Sequence, residues 1–359
     1  MTTSTSPEAQ LIAGLDARRP AALARAISIV ENQRPGFDTI LGALHSKIGR
    51  AHRIGITGPP GAGKSTVTTH LAAQYREAGL TVGIIAVDPT SPFTGGALLG
   101  DRIRMESVAL DPGVYIRSLA TRGSLGGLSS ATRAVADVLD AFGFDRILME
   151  TVGVGQSELD IARAADTTFV ILVPESGDSI QTLKAGLMEI ADIFVVNKAD
   201  RPGADRVRTD IELMLGLRAG ETLRNVPAHH GVDFKKIMNP ARIAREAAAG
   251  AQTESWTPPV LRTVAAKGEG IGELITALDR HLHYLEGSGE LRRRRRQRLR
   301  EQVIDVTEHR VRQRLWRDAE TNAFLDSKLT VMESGAATPF TVADELLSRS
   351  VDLLTRTRS

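Results

Sequence analysis

The sequence predicts an α/β fold, a mainly parallel sheet with helices on both faces, and three observations predict it. Apolar runs of strand length alternate along the chain with segments of helical periodicity. Thr81-Val82-Gly83-Ile84-Ile85-Ala86-Val87 is almost continuously apolar, as a strand buried on both faces must be. Gly58-Pro59-Pro60-Gly61-Ala62-Gly63-Lys64-Ser65 joins a short apolar run to a helical one in the pattern G-x-x-x-x-G-K-S. Ligands of such sheets bind at the carboxyl ends of the strands.

Taken in order, residues 1–6 are expected to be disordered. From Pro7 to about Arg50, Leu11, Leu15, Leu23, Ile27, Val30, Ile40, Leu41, Leu44 and Ile48 recur at helical spacing. They predict two or three helices, an N-terminal extension over residues 1–50. The central domain, residues 51–287, opens with a strand at 52–57, the glycine-rich loop and a helix from Thr66 to Ala78. Further strands are expected at 81–87, 114–118, 146–151, 167–173, 193–197 and 260–264. Helices are expected at 129–142 and 271–286, and one opens near Asp101–Met105. Residues 218–258 read as helices and loops inserted before the last strand. From Glu290 the character changes: Arg292 to Arg296 are five successive arginines. Leu299, Val303, Val306, Val311 and Leu315 then recur at roughly helical spacing, and a further helix is expected over 338–354. Residues 288–359 thus read as a C-terminal helical arm, whose apolar stripe predicts a homodimer.

Composition bounds the rest. The 359 residues can hold one large domain with accessory elements, or two domains. Hydrophobic residues are 42% and aromatics only 4%, so the core must be aliphatic. The net charge is only +2, and a pI near 9.0 alone is a weak pointer to nucleic acid or membrane, so neither partner is expected. The absence of cysteine excludes disulfides, thiolate metal sites and thiol nucleophiles. No apolar run approaches the ~20 residues that span a bilayer, and the N-terminus lacks the features of a secretory signal. The expected location is cytoplasmic.

The chemistry starts at the glycine-rich loop. Glycines let the backbone wrap phosphate oxygens so that N–H groups point inward, and the helix N-terminus adds partial positive charge. Gly58, Pro59, Pro60, Gly61, Ala62, Gly63, Lys64, Ser65 and Thr66 are therefore candidate nucleotide-binding residues of a P-loop NTPase. Lys64 can reach the β- and γ-phosphates, and the Ser65 hydroxyl can bind Mg²⁺. Asn197-Lys198-Ala199-Asp200, N-K-x-D at the end of a strand, selects the base. The Asp200 carboxylate can accept from guanine N1–H and the exocyclic amine, a donor pair that adenine lacks. Asn197 would brace the loop, and the Lys198 stem would cover the ring. Ala265-Ala266-Lys267 follows the last strand, where a G domain places a short base-contacting loop. GTP and GDP are the expected nucleotides.

Glu150-Thr151-Val152-Gly153 ends a strand where many GTPases have D-x-x-G. Glu150 can hold Mg²⁺ through water, and the Gly153 N–H can meet the γ-phosphate. Asp101 is a candidate for Mg²⁺ or water positioning and Asp88 for a supporting role, with an ordinary helix cap as the alternative for each. Val154 stands after Gly153 where a water-orienting glutamine would be useful, and Gln156 is a weak substitute. Slow intrinsic hydrolysis is expected.

These stretches, with Val87 to Ser91, Gly95 to Met105, Thr121 to Gly127 and Glu150 to Glu158, resemble the MeaB/ArgK family of methylmalonyl-CoA-mutase-associated GTPases. The resemblance covers essentially the whole chain. It implies a homodimeric GTP-binding chaperone for an adenosylcobalamin-dependent acyl-CoA mutase, methylmalonyl-CoA mutase first among them. Such a protein gates loading of intact cofactor, protects and reactivates the mutase, and is stimulated by it. A segment near Asp178 to Lys184 would couple the two, with Gln181 and Lys184 as candidate contacts and Lys184 or Gln181 drawn towards the nucleotide. The departure is Ala265, where the family usually has serine. Two alternatives remain. A nickel-inserting metallochaperone would want Cys-x-x-Cys or a His-rich tract, and His229-His230 is the one His pair. A nucleic-acid-binding NTPase using Arg292 to Arg296 would want interleaved aromatics. A solvated helix face, or pairing with a partner's acidic residues, suits that arginine run better.

Overall fold

The computed structural model describes residues 6–89, 105–121, 127–151, 157–175, 187–218 and 255–350. The chain forms two compact units, Met1–Arg295 and Arg296–Ser359.

Seven strands form one sheet in the first unit: β1 (His52–Thr57), β2 (Val82–Pro89), β3 (Val114–Thr121), β4 (Arg146–Glu150), β5 (Thr167–Leu172), β6 (Ile193–Val196) and β7 (Val260–Arg262). Their order is β3-β2-β4-β1-β5-β6-β7, and every pairing is parallel. The sheet is mainly aliphatic, and alternate residues serve opposite faces. Ile54, Ile56, Ile84, Leu148, Phe169, Ile171 and Val195 meet α4 (Lys64–Glu77) on one face. Ile85, Val87, Leu119, Ile147 and Met149 meet α5 (Gly127–Phe142) and α6 (Ser157–Ala164) on the other. α7 (Ala204–Arg218) covers Val170, Leu172, Phe194 and Val196 of β5 and β6, and α8 (Ile271–Gly287) adds Leu274 and Leu278 to the α4 face.

Three helices precede the sheet, at Pro7–Asp16, Pro20–Glu31 and Phe37–Leu44. Ser6 caps the first by accepting from the Ala9 N–H at 3.2 Å, and proline opens the first two, where its missing N–H costs nothing. Leu11, Leu15, Leu23, Ile27, Val30, Ile40 and Leu44 are buried in one cluster with Val135, Val138 and Leu139 of α5. The helical spacing in the sequence was therefore a packing face.

At the amino end of the sheet, buried carboxylates collect the chain. Asp140 accepts from the N–H groups of Gly49, Arg50 and Ala51 at 2.8, 3.0 and 3.0 Å, and from the Arg53 guanidinium at 2.9 Å. α9 (Glu290–Arg317) begins here. Arg294 grips Asp192 with two hydrogen bonds, of 2.8 and 3.0 Å, and Arg295 grips Asp166 with two, of 2.9 and 3.2 Å. This corrects the expectation of a wholly solvated or partner-facing arginine run. Asp166 and Asp192 stand buried before β5 and β6, and a buried carboxylate needs a counter-charge with matching donors.

In the second unit, α10 (Ala319–Glu333) and α11 (Pro339–Arg349) pair through Lys328–Glu345 at 2.8 Å, and Arg349 stacks over the Phe324 ring at 4.4 Å. The last helix falls short of the expected end at 354, and residues 351–354 lie outside the described residues. On α9, Leu299, Val303, Val306 and Val311 are 43%, 66%, 40% and 38% exposed, and only Leu315 of the expected stripe is buried.

Candidate nucleotide site

β1 feeds the loop 58–63, and α4 starts at Lys64. Two glycines are demanded by space. At Gly58 (φ 140°) a Cβ would stand 2.1 Å from the Ile171 carbonyl oxygen, and at Gly63 (φ 89°) it would stand 2.4 Å from Asn197 Nδ2. The loop is thus pressed between β5 and the residue that follows β6. Lys64 curls back over it and donates to the carbonyls of Gly58 at 2.9 Å and Pro59 at 3.0 Å. The ammonium is held inside the loop, where the loop's own amides would gather phosphate oxygens. Pro60, Gly61 and Thr66 are exposed around it.

Glu150 ends β4, beside β1, in register with Ile56. Its carboxylate accepts from Ser65 Oγ at 2.6 Å. Thr68 Oγ1 lies 2.9 Å from the same carboxylate and 3.0 Å from the Lys64 carbonyl, and shares its one proton between them. Hydroxyl and carboxylate are hard oxygen ligands of the kind Mg²⁺ prefers, and that ion is completed by waters and phosphate oxygens. Thr68 was not singled out from the sequence. The signal for it is spacing: it lies three residues after Ser65 on one helix face.

Asn197 joins the two halves of the site. Its Nδ2 donates to the Ala62 carbonyl at 2.8 Å, and its Oδ1 accepts from Thr263 Oγ1 and from the Ala265 N–H, both at 3.0 Å. One acceptor and two donors around the amide fix which end is nitrogen. The phosphate loop, the end of β6 and the turn Ala265-Ala266-Lys267, a single turn of 3₁₀ helix, therefore share one side chain. Lys198 adopts φ 55°, left-handed backbone that turns the loop away from the strand. Glu175, after β5, lies 3.5 Å from the Lys198 ammonium and pairs with Arg201. Asp200 is exposed at the loop's edge. Thr263 and Glu175 are further contributors that the sequence reading did not name.

Asp101, Gly153, Gln156, Gln181 and Lys184 lie outside the described residues, and so does the Asp88 side chain on the last part of β2. Thr151 follows Glu150, its hydroxyl 3.1 Å from that of Thr57.

This arrangement has known counterparts. The chain matches the family described as methylmalonyl-CoA mutase-associated GTPase MeaB over residues 23–320. The chain belongs to the MeaB family. A Pyrococcus horikoshii protein named as a GTPase is 44% identical over 345 residues, covering 96% of this MeaB-family chain and 99% of its own. The mouse protein named methylmalonic aciduria type A homolog, mitochondrial, is 31% identical, covering 94% of this chain and 78% of its own. The crystal structure titled LAO/AO transport system kinase superimposes with a TM-score of 0.63 at 26% identity, covering 95% of this chain and 96% of that one. As a MeaB-family member the protein is a GTPase with a P-loop GTPase fold, and it binds guanine nucleotide.

Proposed function

We propose that this GTPase is a chaperone that gates adenosylcobalamin loading into a B12-dependent acyl-CoA mutase, and protects and reactivates that mutase. Methylmalonyl-CoA mutase is the first candidate. The observation that carries the reading is the family match over residues 23–320, with the mouse relative in support. In this reading the loop 58–66 cradles the phosphates of GTP and GDP, and Lys64 neutralises the transferred group. Asp200 reads the guanine edge, while Lys198 and the turn 265–267 flank the base. Ser65 and Glu150, with Asp101, hold Mg²⁺, which supplies charge neutralisation at the β- and γ-phosphates when bound. Asp88 and Gly153 support the γ-phosphate side, and Lys184 belongs to the segment through which the mutase acts.

The proposal extends to a homodimer in the cytoplasm. The exposed apolar positions of α9 favour the dimer, because each such side chain buried against a second copy contributes about 1.5–3 kcal/mol. No helix among the described residues is long and apolar enough to cross a membrane. A nucleic-acid role through the arginine run is disfavoured, since Arg294 and Arg295 are engaged by Asp192 and Asp166.

The test is steady-state phosphate release with and without purified mutase, paired with gel filtration in a GTP analogue. A cognate mutase is expected to form a complex and to accelerate turnover at least several-fold. No complex and no acceleration with any B12-dependent acyl-CoA mutase would remove the chaperone reading and leave a GTPase with another client.

A further inference from the structure

α6 brings a carboxylate to the end of β1 that leads into the phosphate loop. The helix lies flat on β1: a Cβ added to Gly55 would stand 2.8 Å from Ile161 Cγ2 and 3.1 Å from Ala165 Cβ. Such close approach fixes the position of α6 along the strand. α6 links the end of β4 to the start of β5, so it runs antiparallel to β1, with its first turn at the nucleotide end of the sheet. Glu158 precedes Ile161 by three residues and shares its face. It therefore lies about 4.5 Å nearer that end, and its Cα–Cβ bond leans further the same way. Beneath it, β1 runs from Gly55 to Thr57 and turns into Gly58. Glu158 is half-buried there. Burial raises its pKa, and the nearby Lys64 ammonium opposes the rise.

We propose that Glu158 orients the water that attacks GTP and accepts its proton. The inference rests on residues 58–65 being the phosphate site. Lys64 serves the β- and γ-phosphates, so a carboxylate at this end of the sheet and within electrostatic reach of Lys64 lies on the phosphate side of the site and not the base side. Glu150 is already committed to Ser65 and Thr68. In the step, the water oxygen bonds to the γ-phosphorus as the bond to the bridging β-oxygen breaks. One water proton passes to a Glu158 oxygen and then to the departing phosphate, and GDP keeps the bridging oxygen. A half-buried carboxylate suits this task, because reduced hydration brings its basicity towards the operating pH.

The test uses the full chain with Mg²⁺ and saturating GTP, and reads phosphate release between about pH 5 and about pH 9 for wild type, Glu158→Gln and Glu158→Asp. Affinity for a non-hydrolysable GTP analogue is measured alongside by calorimetry. Glu158→Gln is expected to lower kcat by ~10²-fold or more and to lose the acid limb of the profile, with analogue affinity changed by less than about threefold. Glu158→Asp is expected to retain that limb at a lower rate. Turnover of Glu158→Gln within about threefold of wild type overturns the proposal. So does a loss of analogue affinity as large as the loss of rate, which marks a structural role. Lys64→Ala separates the two levels: undiminished GTP binding in that variant would sink the phosphate-site assignment, whereas normal Glu158→Gln turnover sinks only the proton acceptor.

Discussion

Replacing Asn197 by alanine asks whether the phosphate loop and the base loop behave as one body. Asn197 is 3% exposed and makes three hydrogen bonds, to the Ala62 carbonyl, the Thr263 hydroxyl and the Ala265 N–H. Truncation strands all three groups in a space too closed for easy hydration. At about 1 kcal/mol for each group left without its partner, the loss is about 3 kcal/mol. Since 1.4 kcal/mol is tenfold in an equilibrium constant, this is about 10²-fold to be divided between folding and nucleotide affinity. Thr263→Val is the matched control: it keeps the shape, removes one bond and should cost about 1 kcal/mol. The assay is urea unfolding with and without nucleotide, with calorimetric titration of a GTP analogue into each variant. If Asn197→Ala stays within about 0.5 kcal/mol of wild type in both measurements, the shared side chain is not a brace. Equal losses in Asn197→Ala and Thr263→Val would show that the Ala62 and Ala265 bonds contribute nothing.

Three further outcomes are expected. Asp200→Asn should weaken GTP binding and favour a xanthosine nucleotide, whose C2 carbonyl can accept from the new amide; wild-type protein that binds ATP as well as GTP in calorimetry would refute the base assignment. His52 and His281 are buried on either side of the Thr167 hydroxyl, 2.8 Å from each ring. Burial lowers their pKa values to about 3 and about 4, against the pull of Asp166 on His52 and of Asp192 on His281. Their stabilising contribution is therefore complete above the unfolded value of about 6.5 and is lost as pH falls towards those folded values, by about 2 kcal/mol each at pH 5. A thermal midpoint of His281→Gln that falls between pH 7 and pH 5 as steeply as that of wild type would count against this. Val303→Glu, at the most exposed apolar site named on α9, should turn the proposed dimer into a monomer in sedimentation velocity without loss of GTP binding; an unchanged dimer would place the interface elsewhere, and a monomeric wild type would refute the dimer.

The strands and the phosphate loop were readable because their signals are local. A continuous apolar run such as 81–87 can only be a doubly buried strand in this context, and the glycines at 58 and 63 announce backbone that no side chain tolerates. The helices before the sheet were equally plain, since Leu11 through Leu44 keep one spacing. What the sequence hides is long-range pairing. Five adjacent arginines look alike, yet only the fold says that Arg294 and Arg295 face carboxylates 102 and 129 residues earlier in the chain. Thr263 and Glu175 were hidden for the same reason, as their partners Asn197 and Arg201 lie on other loops. His52 carried no legible role because its meaning depends on Thr167 and His281, one from another strand and one from a helix.

β6 is four residues long, and the residue flanking it on each side is tethered. Asp192, at the start, takes Arg294 on its carboxylate and the Trp256 indole N–H on its carbonyl; Asn197, at the finish, takes the phosphate loop and the 265 turn. Five residue steps of extended chain separate the tethers, a span of about 16 Å. A strand pinned in this way is a strut of set length. Lengthening or shortening it by one residue would reverse which side of the sheet each side chain meets, and no slide along its neighbours could satisfy both tethers again. A change of length in this part of the chain is therefore tolerable only in the loops beyond 192 and 197, and the strand itself sets the distance between the phosphate loop and the start of α9.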